Sequence, residues 1–163
     1  LFATLAALGC NLPRIVSPLA HAADSANLGA GTIVMHFALV NAYARVGKNC
    51  IVNTRAVIEH ECHIGDHCHI AVGAVVCGNV TVEDGVFIGA GAVCRQGIHI
   101  GAGAVIGCGT TVLTDIPAGT IFTGKKCLNI PSKKAAIHLR KKMPGAYRAQ
   151  QRIRRPKKPP PYA

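Results

Sequence analysis

A six-residue repeat of aliphatic residues constrains this sequence more than any other feature. Aliphatic residues recur at every sixth position from Val16 to Val112, and fifteen of these seventeen positions are Val, Ile or Leu. A period of six matches neither the 3.6 residues of an α-helical turn nor the two-residue alternation of a β-strand, so it indicates a repeat architecture. Mostly small residues recur four positions after each of these, from Ala20 to Ile116.

Three hexads are expected to form one triangular coil of 18 residues, which stacks on the next coil through parallel strand pairing about 4.8 Å apart. Seventeen hexads give a little under six coils. The sequence therefore predicts an all-β fold, a parallel β-helix over residues 16–124. Glycine directly follows the aliphatic residue in six hexads, and we expect these glycines at corners that need positive φ (Gly29, Gly47, Gly65, Gly89, Gly101 and Gly107).

The two ends of the chain differ from the repeat. Residues 1–9 have the apolar spacing of the end of a helix, with Gly9 as its C-cap. Residues 125–163 form a basic tail, in which a helix is predicted over 132–143 with Ser132 as N-cap and the remainder is predicted to be disordered.

The net charge of +11 comes from the tail. Residues 1–124 contain five of the 18 Lys and Arg residues and all seven Asp and Glu residues, a net charge of −2. The tail contains the other thirteen basic residues and no acid, so nucleic acid is expected to bind at most non-specifically there. No run approaches the roughly 20 apolar residues that span a membrane, so no membrane partner is predicted.

The cysteines are predicted to be packing residues and not metal ligands. The string C-H-I-G-D-H-C-H resembles a metal cluster, but the repeat places Cys62 and Cys68 in small inward positions on different faces of the coil, where they cannot share a zinc ion. Cys50 and Cys68 are 18 apart and are expected to stack inside the prism, and Cys94 occupies an aliphatic position. Thiols used in this way fit a reducing cytoplasm. Cys10 and Cys127 lie outside the repeat and are left open.

The residues 18 positions before and after each histidine should stack above and below it, and these neighbours distinguish the histidines from one another. His60 has small neighbours, Ala42 and Gly78, which leave space around its ring, and His69 lies in an otherwise apolar column. Glu61 follows His60, and a histidine beside a carboxylate can act as a general base. Three other histidines are predicted to be solvated surface residues (His63, His67 and His99). The role of His36 is left open.

These residues resemble a known family. The segment V-N-T-R-A-V-I-E-H-E-C-H-I-G-D-H-C-H-I, continued by F-I-G-A-G-A-V and I-G-A-G-A-V-I-G, is similar to the left-handed β-helix acetyltransferases that act on bacterial sugars. This is the group of sialic-acid O-acetyltransferases and UDP-4-amino-sugar N-acetyltransferases, and the likeness covers residues 1–124. It implies a left-handed prism, a homotrimer with active sites between subunits, and acetyl-CoA as co-substrate, without a metal.

The resemblance also implies roles for single residues. His60 matches the catalytic base and Glu61 the acid that polarises it. His69 matches the histidine at the acetyl end of acetyl-CoA, and Asn53 matches an asparagine that lines the same site and binds substrate. Two further positions match those where the family's backbone contacts the pantetheine arm of the cofactor (Ala90 and Cys108).

The implied reaction is direct acetyl transfer to an amino or hydroxyl group of a sugar or nucleotide-sugar in the cytoplasm. Members of the group usually carry an N-terminal Rossmann-like domain that holds the sugar nucleotide, and residues 1–15 are predicted to be the remnant of such a domain. Two alternatives are a metalloenzyme of the γ-carbonic-anhydrase type on the same fold and a non-catalytic trimeric scaffold whose tail binds polyanions. The first is disfavoured because no two histidines have the H-x4-H spacing of that family's ligands.

Overall fold

A computed structural model describes residues 1–124 and the backbone of residues 127–129. The chain begins with one short helix, α1 (Phe2–Ala7), and continues as two-residue strands joined by four-residue corners. The strands are β1 (Ile15–Val16), β2 (His21–Ala22), β3 (Asn27–Leu28), β4 (Ile33–Val34), β5 (Leu39–Val40), β6 (Arg45–Val46), β7 (Ile51–Val52), β8 (Val57–Ile58), β9 (His63–Ile64), β10 (His69–Ile70), β11 (Val75–Val76), β12 (Thr81–Val82), β13 (Phe87–Ile88), β14 (Val93–Cys94), β15 (His99–Ile100), β16 (Val105–Ile106), β17 (Thr111–Val112), β18 (Thr120–Phe122) and β19 (Cys127–Asn129).

From β1 to β17, every third strand belongs to the same sheet, and β18 and β19 extend the sheet that begins with β1. Sheet A has the order β1-β4-β7-β10-β13-β16-β18-β19, sheet B the order β17-β14-β11-β8-β5-β2, and sheet C the order β15-β12-β9-β6-β3. Strands that are 18 residues apart pair in parallel, as His69 does with Ile51 and Phe87. The parallel β-helix of a little under six coils, predicted from the hexads, is confirmed, as is the left-handed coiling that the family resemblance implies.

The core confirms the inward positions assigned from the sequence. The second residue of each strand points inward, and these residues are buried from Leu28 to Val112. Val16 is 38% exposed, because no coil lies beneath the first one. The second inward position holds small residues such as Ala44 and Ala56, both fully buried, because two inward rows must share a narrow triangular interior.

The prediction of positive φ for the six glycines after the aliphatic residues is wrong. Positive φ occurs at the third residue of a corner, for example at Gly31, Tyr43 and Glu61, whereas the six glycines are the first residues of their corners. They are needed for close approach between coils. A Cβ added at Gly29 would lie 2.5 Å from the carbonyl carbon of Gly47.

Replacing Gly29 with alanine is therefore expected to destabilise the fold. The three atoms nearest to the added Cβ all belong to the backbone of the next coil, at 2.5–2.7 Å, and neither coil can move without disturbing the ladder of parallel pairs. Overpacking of this kind costs about 1–3 kcal/mol. Thermal unfolding should show a lower Tm for Gly29→Ala, and an unchanged Tm would contradict the close-approach explanation.

Both ends of the prism carry additional structure. Helix α1 ends as predicted, with Gly9 at φ +72° directly after the C-cap residue, and Phe2 packs over Gly31 and against the ring of His67, with ring centroids 5.6 Å apart. At the other end, β19 pairs antiparallel with β18. The compact unit thus extends to Asn129, beyond the predicted boundary at residue 124.

The predicted helix over 132–143 lies outside the described residues. So does the tail predicted to be disordered, apart from residues 127–129, which form β19 instead. No helix within the described part of the chain is long and apolar enough to cross a membrane.

Candidate active site

The corner between sheets B and C holds the predicted His–Glu pair. His60 and Glu61 occupy the four-residue corner 59–62, which connects β8 to β9. The Nδ1 atom of His60 lies 3.1 Å from Oε2 of Glu61. A carboxylate only accepts hydrogen bonds, so Nδ1 carries the proton and Nε2 of the neutral ring keeps its lone pair for an incoming proton. The side chains are 48% and 60% exposed, so one prism leaves this pair open to solvent.

The ring of His60 rests on the next coil at Gly78. A Cβ added at Gly78 would lie 2.5 Å from Nε2 and 2.6 Å from Cε1 of His60. The ring therefore occupies the space that any side chain at position 78 would need. This confirms the expectation that small neighbours leave room for His60, and it shows that the room is used to lay the ring flat along the corner.

A second carboxylate lies on the other side of His60 along the chain, and the sequence reasoning missed how it is held. Nδ2 of Asn41 donates to Oε2 of Glu59 at 2.7 Å, and Oδ1 of Asn41 accepts from the N–H of Ala42 at 2.7 Å. Asn41 precedes Glu59 by 18 residues, so the same column rule that separated the histidines could have found the pair. Two acidic residues, Glu59 and Glu61, thus flank His60 along the chain, and Glu61 is the one that contacts its ring.

The second predicted group, His69 and Asn53, is brought together by a hydrogen bond. Oδ1 of Asn53 accepts from the N–H of Thr54 at 2.7 Å, which turns Nδ2 of Asn53 towards Nε2 of His69 at 3.1 Å. Burial lowers the pKa of His69, so its ring is neutral at pH 7. With Nε2 accepting, Nδ1 of His69 is the protonated atom and a free donor.

The two groups lie on opposite edges of sheet B. His60 and Glu61 follow β8 at the corner between sheets B and C, whereas Asn53 lies in the corner 53–56 that precedes β8, between sheets A and B. His69 lies in sheet A and contacts Asn53 across the coil boundary. Ala90 and Cys108, the predicted cofactor contacts, stand in the A/B corner one and two coils beyond Val72, with Cys108 exposed. Within one prism the structure brings His69 to Asn53 but neither of them to His60.

The other histidines considered from the sequence lie on the surface of the prism. His63 and His99 are exposed on sheet C, as predicted, and His67 is exposed at the C/A corner, where Nδ2 of Asn49 lies 2.9 Å from its Nδ1. His36 is exposed beside Phe37, with ring centroids 6.4 Å apart.

The buried cysteines behave as packing residues. Cys50, Cys62, Cys68 and Cys94 are at most 1% exposed. Burial raises the pKa of Cys62, and it raises the pKa of Cys94 to about 12, so both remain thiols. Among residues 1–124, no group of three or more His, Cys, Asp or Glu side chains is arranged to hold a metal ion.

The backbone of Glu61 is strained, so a substitution at this position can separate an effect on activity from an effect on stability. Its φ is +60°, a region that glycine adopts freely and other residues adopt at a cost of about 1–2 kcal/mol. Glu61→Gly should relieve this strain and release Nδ1 of His60. If the pair is catalytic, we expect kcat to fall about tenfold or more while the Tm is unchanged or higher.

The matched control is Asn79→Gly, which makes the same backbone change at φ +55° one coil further along the same corner. It should leave kcat within about twofold. Equal losses in the two variants would mean that the corner conformation, and not the carboxylate, matters.

Comparison with known families and structures agrees with this fold. The sequence profile described as bacterial transferase hexapeptide (six repeats) matches residues 43–78 and 61–96. The chain carries the hexapeptide repeats of the bacterial transferases. These ranges include His60, Glu61, His69, Asn53 and Gly78. No curated protein matches the chain.

Solved hexapeptide-repeat structures match most of the chain. The acetyltransferase domain of PglB from Neisseria gonorrhoeae FA1090 is 35% identical, with a TM-score of 0.75 over 79% of this chain and 63% of that one, and was also solved with acetyl coenzyme A. PerB from Caulobacter crescentus, solved with CoA and GDP-perosamine, is 31% identical, with a TM-score of 0.76 over 78% and 62%. WeeI from Acinetobacter baumannii AYE is 27% identical, with a TM-score of 0.65 over 78% and 63%. The resemblance to the left-handed β-helix sugar acetyltransferases is confirmed.

The chain spans less than two thirds of the length of these solved chains. Perosamine N-acetyltransferase from Caulobacter crescentus was also solved with one histidine replaced by asparagine or by alanine.

Proposed function

We propose that this hexapeptide-repeat chain is an acetyl-CoA-dependent acetyltransferase that acetylates an amino or hydroxyl group of a sugar or nucleotide-sugar, with His60 as general base. The observation that carries the proposal is the hydrogen-bonded His60–Glu61 pair on a prism corner. Two proteins of the same fold also support the proposal. The acetyltransferase domain of PglB was solved with acetyl coenzyme A, and PerB was solved with CoA and GDP-perosamine.

The chemistry follows from the state of the His60 ring. Nε2 accepts a proton from the acceptor amine or hydroxyl as that group attacks the thioester carbonyl, and the tetrahedral intermediate then expels the thiolate of CoA, which takes up a proton. Glu61 keeps Nδ1 protonated and stabilises the imidazolium that forms. Hydrogen-bond donors around the carbonyl stabilise the oxyanion, and holding both substrates together lowers the entropic barrier.

We assign the acetyl-CoA half of the site to the A/B corner. The free Nδ1–H of His69, oriented by Asn53, is a suitable donor to the acetyl end of the co-substrate. Ala90 and Cys108 form an open edge further along the same corner, where the pantetheine arm would lie. The exposed Cys108 side chain narrows this path.

Because the two halves lie on opposite edges of sheet B, we propose a homotrimer in which sheet B faces the three-fold axis. In such a ring, the A/B corner of one subunit meets the B/C corner of the next, so His69 and Asn53 meet His60 of the partner subunit. The surfaces support this arrangement. The outward residues at the centre of sheet B are apolar (Leu39, Val57, Val75 and Val93), whereas those of sheet C are polar (Asn27, Arg45, His63, Thr81 and His99). Sheet A is also apolar apart from His69 (Ile33, Ile51, Phe87 and Val105), so the surfaces disfavour sheet C, and the two half-sites on the edges of sheet B select sheet B.

A charge on sheet B tests the assembly. Val75→Asp places a carboxylate at the centre of sheet B and should yield monomers in light scattering, because burying an unpaired charge at an interface is costly. Thr81→Asp, one strand further along the same coil on sheet C, should remain trimeric. The reverse pattern would place the three-fold contact elsewhere.

Mixed trimers test the shared site directly. His60→Ala and His69→Ala chains, each expected to be impaired, are refolded together at equal ratio. If each site takes His60 from one subunit and His69 from its neighbour, about a quarter of the sites in random trimers contain both native residues. Recovery of about a quarter of the activity is expected, and no recovery would mean that both residues serve the same subunit's site.

The reaction itself is tested by CoA release from acetyl-CoA with a UDP-linked 4-amino-sugar, a GDP-linked 4-amino-sugar or sialic acid as acceptor. Acceptor-dependent CoA release with a matching mass increase of the sugar is expected. Absence of transfer to all acceptors would reject the proposed function for this chain.

The free, buried thiols support a reducing, cytoplasmic compartment.

A further inference from the structure

Two large aromatic side chains stand at corners where the backbone disfavours them. Phe37 and Tyr43 have φ of +60° and +59°, a conformation in which a bulky residue is an outlier. Their side chains are 58% and 67% exposed, so packing within one prism does not compensate for this conformation. The left-handed conformation itself recurs at the third residue of every corner from Gly31 to Gly109. What distinguishes these two corners is an exposed aromatic ring at a position where glycine or asparagine would be less strained.

The two aromatic residues flank β5 as the candidate catalytic residues flank β8. Phe37 lies in the A/B corner and Tyr43 in the B/C corner, each one coil before the level of the proposed site. The coils are joined at both places. The N–H of Arg55 donates to the carbonyl of His36 at 3.1 Å, and the N–H of Glu61 donates to the carbonyl of Ala42 at 3.0 Å.

In the proposed trimer, the A/B corner of one subunit meets the B/C corner of the next at the same height. Phe37 would then face Tyr43 of the partner subunit directly beneath the cleft that contains His60. The proposed cofactor contacts, Ala90 and Cys108, lie on the opposite side of that level, in later coils. The side of the cleft towards the first coils is left for the acceptor.

We propose that Phe37 of one subunit and Tyr43 of the partner subunit form an aromatic wall that stacks against the ring of the acceptor sugar. This inference rests on the proposed function and its trimer. An aromatic face suits the apolar C–H surface of a pyranose, and the phenolic hydroxyl of Tyr43 can bond a sugar hydroxyl. The carboxylate of Glu59, held by Asn41 at 2.7 Å, adds a negative charge on the same corner, which attracts an amino-sugar as its ammonium ion. The ammonium loses one proton to water before the free amine attacks the thioester and gives a second proton to His60.

The test compares substitutions that remove the ring with substitutions that keep it. Asparagine tolerates positive φ, so Phe37→Asn and Tyr43→Asn remove the ring without forcing the corner to rearrange, whereas Tyr43→Phe and Phe37→Tyr retain it. We expect each Asn variant to raise the KM for the amino-sugar about threefold to tenfold. The KM for acetyl-CoA and the kcat at saturating acceptor should stay within about twofold. The ring-retaining variants should raise the acceptor KM less than the Asn variants do, and in Tyr43→Phe the remaining rise reports the lost hydroxyl.

The double variant Phe37→Asn/Tyr43→Asn separates a shared wall from two independent effects. If both rings contact one sugar, the rise in acceptor KM should be smaller than the product of the single effects. Loss of the trimer in light scattering with an unchanged acceptor KM in the remaining trimers would make the contact purely structural and overturn the inference. Absence of transfer by the unaltered chain would overturn the proposed function and this inference together, whereas normal transfer with unchanged acceptor KM in the Asn variants overturns this inference alone.

Discussion

Replacing His60 with alanine is expected to lower kcat for acetyl transfer by about 10²- to 10⁴-fold, the usual contribution of a general base. The KM for acetyl-CoA should change little, because the proposed cofactor contacts lie on the other edge of sheet B. Stability should also change little, since the His60 side chain is 48% exposed and packs only along the corner. The measurement is steady-state kinetics with an amino-sugar acceptor, together with thermal unfolding.

The chain supplies a matched control for this variant. His99 and Glu83 form a second exposed His–Glu pair, with Nε2 and Oε1 3.1 Å apart and side chains 47% and 45% exposed. His99 lies on sheet C and Glu83 in the C/A corner, both in later coils than His60. His99→Ala should retain kcat within about twofold. A His60→Ala protein as active as His99→Ala would reject the assigned base, and an equal loss in both would indicate a general effect of removing surface histidines.

Replacing Gly78 with alanine is expected to abolish most of the activity while leaving the fold intact. The added Cβ would lie 2.5 Å from Nε2 of His60, so the ring must swing away from the corner. That movement breaks the Nδ1 contact with Glu61 and displaces the lone pair that accepts the proton. A displacement of about 1 Å at a reacting group can cost about 10²-fold in rate, and we expect a loss of at least this size in kcat.

Gly78→Ala and Gly29→Ala together test this explanation. At Gly78 the nearest atoms belong to an exposed side chain, which can rotate, whereas at Gly29 they belong to the backbone of the next coil, which cannot. The first variant should lose activity at nearly unchanged Tm, and the second should lose stability. A Gly78→Ala protein with normal kcat would show that the ring is free to work from another position.

The comparison of sequence and structure is most informative at single residues. The spacing of 18 predicted that Ala42 and Gly78 would flank His60 and that Ile51 and Phe87 would flank His69, and both columns are present. The same spacing did not reveal that Asn53 bonds His69, which is 16 residues away. That contact depends on a side chain reaching diagonally between columns, which a stacking rule cannot show.

The glycines show where reasoning from the sequence assigned the right residues to the wrong cause. The six glycines that directly follow an inward aliphatic residue were predicted to have positive φ, but their φ values lie outside the left-handed region. The need is for space between coils, a property of the stacked structure. The left-handed positions are the third residues of the corners, where Tyr43 and Glu61 occur. Glycines recur at these positions in the same six-residue register, and the sequence reasoning missed this second set (Gly31, Gly73, Gly85, Gly91, Gly97, Gly103 and Gly109).

The sequence by itself determined the repeat, the inward positions and the level of the coil at which His60 and His69 lie, because a six-residue period allows only one register of inward aliphatic residues. Only the tertiary structure decided which polar atoms meet. The tautomers of His60 and His69 and the strain at Glu61 follow from distances and angles at the corners. The hexad register fixes the face and the coil on which a residue lies, but not the side-chain torsions that decide which atoms come within bonding distance.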